Sequence, residues 1–150
     1  MATINHSAAS SATALTVTID SLTNGEFSGI STTVIDNATN KHLALDFWIE
    51  LGATGINPAA GAYMSVYLIP LLDGATYPDV PAESTTSPGE AYFGGLGSIA
   101  DLGSTGNLII PIMGVSVGPY PYKIVVGNFT GVTLSTGNTI KWLGRDLEVA

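Results

Sequence analysis

Cysteine is absent from the chain, and that removes disulfides, thiolate metal sites and cysteine nucleophiles in one step. Positive charge is nearly absent too. Lys41, Lys123, Lys141 and Arg145 face twelve acidic residues, for a formal net charge of −8, so a phosphate backbone would meet repulsion and direct nucleic-acid binding is not expected. Charged residues of both signs make up 11% of the sequence, under half the roughly 25% of an average soluble domain. The surface must therefore be covered by Thr, Ser, Asn and Gly, or by another subunit. No apolar run reaches the roughly 18 residues of a membrane-spanning helix. The start, Met1-Ala2-Thr3-Ile4-Asn5-His6-Ser7, has neither the basic residues nor the apolar stretch of a secretory signal. Synthesis in the cytoplasm without a membrane partner is the expectation.

What is present reads as strands. At 150 residues the chain has the size of one domain with a real core. Residues 1–14 are small and polar, with no apolar period, and are expected to form an arm that is frayed or lies on a neighbouring subunit. From Leu15 to Ile19, apolar residues alternate with Thr at the period of a half-buried strand. Ile30 to Ile35 reads as a second strand that closes at Asp36-Asn37-Ala38-Thr39-Asn40, whose side chains favour turns. The clearest strand is Leu43 to Leu51, where every odd position is large and apolar and Asp46 and Glu50 fall on the opposite face. Pro111, inside the apolar run Leu108 to Met113, cannot donate to a ladder and marks an edge strand or a bulge. About eight short strands without a helical period give an all-β fold, a single antiparallel β sandwich of jelly-roll type over residues 15–150. Its core is expected to include Leu45, Phe47, Ile49, Leu51, Val66, Leu68, Ile124 and Val126.

Catalytic groups are scarce. The only imidazoles are His6, in the arm, and His42, read as a solvated turn residue, so a serine nucleophile lacks a well-placed base. Asp46 and Glu50 would stand about 13 Å apart along a strand, beyond the roughly 5 to 9.5 Å that a glycosidase pair requires. The glycine-rich Phe93-Gly94-Gly95-Leu96-Gly97 lacks the lysine and helix of a phosphate cradle. Asp73 to Asp79 offers two carboxylates in one loop but matches no calcium-loop spacing, and reads as an Asp-Gly turn held by side-chain capping. Tyr63, Tyr67, Tyr92, Tyr120 and Tyr122 read as core or interface residues rather than a sugar platform. No enzyme activity, cofactor or metal is expected.

Three segments in order carry a resemblance: Ile35 to Asn40 before a strand, Asp73-Gly74-Ala75-Thr76-Tyr77-Pro78-Asp79 in mid-chain, and Tyr122 to Thr139, with its Asn128-Phe129-Thr130-Gly131 turn, at the end. From about Ser31 to Lys141 the chain resembles small structural proteins of tailed-bacteriophage virions. The resemblance implies a non-catalytic place in the particle, as a capsid decoration (cement) protein bound to the major capsid protein on the outer shell. The alternatives are a tail or fibre module that binds a host glycan and, least supported, a tail depolymerase. A homo-oligomer, a trimer first, is expected, with interface candidates Ile4 and His6 in the arm and Trp48 and Trp142 on the sandwich.

Overall fold

A computed structural model describes residues 4–8, 11–52, 61–80, 84–99 and 108–149, the main chain alone for 4–8 and 147–149. Among the described residues there are nine strands, one helical turn α1 (Asn37–Asn40) and one 3-10 turn (Glu90–Tyr92). The first sheet runs β1 (Ile4–Ala8), β9 (Thr139–Val149), β4 (Ala44–Leu51), β7 (Leu108–Ser116), with β2 (Thr13–Leu15) also on β9. The second runs β3 (Ile35–Asp36), β8 (Pro121–Phe129), β5 (Tyr63–Pro70), β6 (Phe93–Ser98). Every pairing is antiparallel. The chain is an all-β sandwich. No helix among the described residues is long and apolar enough to cross a membrane.

The core between the sheets follows the alternation of the sequence. Leu45, Phe47, Ile49 and Leu51 of β4 meet Met64, Val66 and Leu68 of β5 and Ile124 and Val126 of β8, all buried. Leu43 precedes β4 and is exposed instead. β5 and β8 do not alternate, because the second sheet is covered on both faces. On its outer side Phe27, Tyr67, Ile69 and Val125 form a second apolar cluster, with Phe27 edge-on to the rings of Tyr67 and Phe129. The irregular segment 25–31 runs along β8 and bonds it as a strand would. Ser28 and Ser31 donate their N–H groups to Val126 and Ile124, and their hydroxyls accept the N–H of the same two residues.

Three expectations change. The segment read as an arm is paired within its own chain, since Ile4–Ala8 and Thr13–Leu15 lie end to end on β9. An edge strand needs only main-chain partners, which small polar residues supply without an apolar period. Of the strand read over Leu15 to Ile19, only Leu15 is in the ladder. Thr16 bonds Thr32 and the Thr33 hydroxyl in place of a strand partner. Of Ile30 to Ile35, only Ile35 enters a strand, because the serine bonds to β8 bend the rest out of register.

Five carboxyls, Asp20, Glu26, Asp36, Glu50 and Asp73, are held below their ordinary values of 3.8 for Asp and 4.5 for Glu. Hydrogen bonds are the leading cause: from the Asn138 N–H to Asp20, from Lys141 to Glu50, and from the Thr76 N–H to Asp73. A lowered folded value means the unfolded chain takes up protons first as pH falls. The stabilisation is therefore complete above about pH 5 and is lost as pH drops through 4 towards the folded values. Melting temperature should stay level from pH 7 to 5 and fall below 4. A higher melting temperature at pH 3 than at pH 7 would refute this linkage.

Candidate docking site

β6 is built from Phe93-Gly94-Gly95-Leu96-Gly97-Ser98, and its glycines let the two sheets meet at one corner. A Cβ at Gly97 would overlap the Ile110 side chain and come within 2.8 Å of the Pro111 carbonyl oxygen, and one at Gly95 would lie 2.8 Å from Ile112. β7 thus packs onto the bare backbone of β6. Pro111 sits on the edge strand of its sheet, as its missing N–H requires.

Next to Pro111, β7 is irregular. Its pairing with β4 shifts between Leu45 and Phe47, so that Met113 and Gly114 stand opposite Asp46 alone. Gly114 takes the left-handed φ of 70° that such a bulge needs. The Asp46 carboxylate accepts the Gly114 N–H at 2.7 Å and the Arg145 guanidinium on its other oxygen. Asp46 is 1% exposed, so its alternation away from the core face did not place it in solvent. A carboxylate at the bulge supplies the acceptor that the shifted ladder lacks.

The bulge turns Met113 outward over a groove of about 730 Å³. Leu68 and Pro70 come from the end of β5 and Leu72 from just beyond it, Tyr92 from the 3-10 turn, Phe93 from the start of β6, and Tyr120 from the loop after β7. No carboxylate, amine, guanidinium or imidazole is among the groove's lining residues. Leu72 is 63% exposed, Met113 53%, Phe93 48% and Tyr120 41%, so large apolar surface faces water here. Ile109 and Leu96 extend the exposed strip along β7 and β6. Of the eight large apolar side chains exposed among the described residues, these six belong to this corner, and Val34 and Leu43 are the others. Patches of this kind on a low-charge protein mark docking surfaces.

The residues singled out from sequence fare differently. Trp48 is half-buried on the outer face of β4, paired with Pro111 of β7 and Lys141 of β9. Its place borders the exposed strip. Trp142, expected at an interface, is buried within its own chain. It shares the period-two face of Ile140 on β9 and pairs with Phe47, so its ring belongs to the core. The main chain of Ile4 and His6 is in β1, and their side chains lie outside the described ones.

His42 is no solvated turn residue. Its Nδ1 lies 2.6 Å from Asp146 Oδ1, its ring covers Gly144, and it stands edge-on to Trp142 at 5.9 Å. A Cβ at Gly144 would overlap the imidazole, so glycine is required there. Among the described residues no serine or threonine hydroxyl is bonded to the ring, and the pair ties the α1 turn to β9. Asn37 completes this tie, bonding the His42 N–H and carbonyl and the Gly118 carbonyl.

Comparison with family models, with curated proteins and with solved structures finds no match. What the corner can do therefore rests on its own chemistry. Among the described residues no group of three His, Cys, Asp or Glu side chains could hold a metal ion. The groove can take apolar side chains from a partner, and its aromatic rings can pack on them. It has no side-chain carboxylate or amide with which sugar-binding sites grip hydroxyls. Sequence reasoning missed it because Leu72, Phe93 and Met113 lie far apart in the chain. The one local signal is the glycine run of β6, which serves close packing of strands and not a phosphate cradle.

Proposed function

We propose that the chain is a non-enzymatic structural protein of a bacteriophage virion, a decoration protein that docks on the major capsid protein at the capsid surface. The observation that carries this reading is the concentration of exposed apolar side chains at the β6–β7 corner, around a groove without ionic groups. Such a corner buries well against a fixed neighbour and serves a free monomer poorly. The strand order supports it. With β1 and β2 counted as one broken strand, the sheets run 1-8-3-6 and 2-7-4-5, the order of a jelly roll, an architecture common among viral capsid domains. A homotrimer is the assembly expected, with Trp48 beside the docking corner and the β1 segment with Ile4 and His6 at the far edge of the same sheet.

The test is re-binding to shells stripped of this protein. Met113→Glu places a carboxylate in the groove while leaving an exposed position on the fold, so its melting temperature should stay within a few degrees of the parent. Its occupancy on shells should fall at least about ten-fold, because an unpaired charge would be desolvated on docking. Full occupancy by the variant would reject this corner as the attachment surface.

A further inference from the structure

Leu72 is a wall of two depressions. On one side is the apolar groove, and on the other a shallower hollow of about 370 Å³ lined by Asp73, Thr76, Tyr77, Pro78 and Asp79. The hollow is acidic. Asp73 and Asp79 are both exposed. The N–H groups of Thr76 and Ala75 bond Asp73 Oδ1 at 2.8 and 2.9 Å, which holds that carboxylate ionised and in place. Burial first, and the Asp36 carboxylate second, raise the Tyr77 phenol above its ordinary 10.0. Against these stands Lys123, whose Nζ is 4.8 Å from the centre of the Tyr77 ring. Glu90, exposed, adjoins Ala91 on the groove's other rim.

We infer that groove and hollow together receive one segment of a different protein, in which apolar side chains that fill the groove are followed by a lysine or arginine that enters the hollow beside Asp73 and Asp79. This rests on the reading of the corner as a docking surface and specifies the partner's chemistry. Charge complementarity selects the occupant. A second copy of this chain carries the same net charge of −8 and has few cations to offer. Lys123 is stacked on Tyr77, Lys141 bonds Glu50 at 2.8 Å and Arg145 bonds the buried Asp46, which leaves Lys41.

The test is an NMR titration of the full chain with three synthetic twelve-residue peptides. One has a Leu-Pro-Phe-Leu core flanked by lysines, one has the same core flanked by glutamates, and one has a serine core flanked by lysines. The first should move the amide signals of Leu72, Asp73, Thr76, Phe93 and Met113, and should bind at least roughly five-fold more tightly than the second, the scale of two or three exposed ion pairs. The third should not bind. Asp73→Asn combined with Asp79→Asn keeps an acceptor for the turn and should remove most of the difference between the first two peptides. Equal binding of both by the unaltered chain, or no movement of groove signals with any peptide, overturns the inference. Groove shifts that appear on concentrating the chain alone would also overturn it, in favour of a second copy. Loss of shell binding in Met113→Glu would still uphold the corner as the docking surface, so the two failures are distinguishable.

Discussion

Phe47→Ala is expected to lower the melting temperature by about 12 °C. Phe47 is fully buried at the centre of β4, where it pairs with Ile112 of β7 on one side and Trp142 of β9 on the other. Removing a buried phenyl ring loses its transfer energy and leaves a cavity that the surrounding strands fill only in part, at about 4 kcal/mol. For a domain of this size each kcal/mol moves the midpoint by roughly 3 °C. The total stability of such a domain is on the order of 10 kcal/mol, so the variant should fold but with a much smaller margin. Differential scanning calorimetry measures the shift. A loss under about 4 °C would mean that the core closes over the gap, and that the tight packing assigned to the centre of β4 is overstated.

A comparable loss, about 10 °C, is expected from Asn128→Ala, for a different reason. Asn128 lies near the end of β8, fully buried on the face of Ile124 and Val126. Its Nδ2 donates to the carbonyls of Leu22 and Val132 at 2.8 and 2.9 Å, and its Oδ1 accepts the N–H and hydroxyl of Thr130 at 3.0 and 2.7 Å. One side chain thus joins the loop at Leu22 to the last turn. After truncation the two carbonyls keep other donors, from the Leu134 N–H and the Thr130 hydroxyl. The buried Thr130 N–H does not, and an orphaned buried donor costs about 1 to 3 kcal/mol on top of the lost side-chain volume. Calorimetry should give about 3 kcal/mol in all. Hydrogen exchange should quicken first at Leu134, whose N–H bonds Leu22. A melting temperature within 3 °C of the parent would show that water replaces the amide.

The core residues of β4 were legible because a strand alternates at period two, and Leu45, Phe47, Ile49 and Leu51 write that period without interruption. Pro111 was legible as an edge residue because it has no N–H to give. The turn at Asp73 was legible because an aspartate three residues before a free N–H caps it locally, and Asp73 does so. β5 and β8 could be read only as apolar runs, since their outer face is covered by the loop carrying Phe27, which pairs with Gly127 and packs on Tyr67 and is remote in the chain from both strands. Trp142 was misplaced although its period matched Ile140. A lone tryptophan among Lys141, Leu143 and Arg145 looks exposed until β2 and β4 are known to flank β9.

By itself the sequence determined an all-β sandwich, the inner residues of its best strand, and a surface with little charge and much Thr, Ser, Asn and Gly, because these follow from local period and composition. Tertiary structure alone decided that Asp46 is buried at the β7 bulge, that His42 is paired with Asp146 over Gly144, and that Leu72, Phe93, Met113 and Tyr120 share one groove beside an acidic hollow. Each of these joins residues that strand pairing brings together across the chain, and no local pattern encodes which distant strand becomes a neighbour.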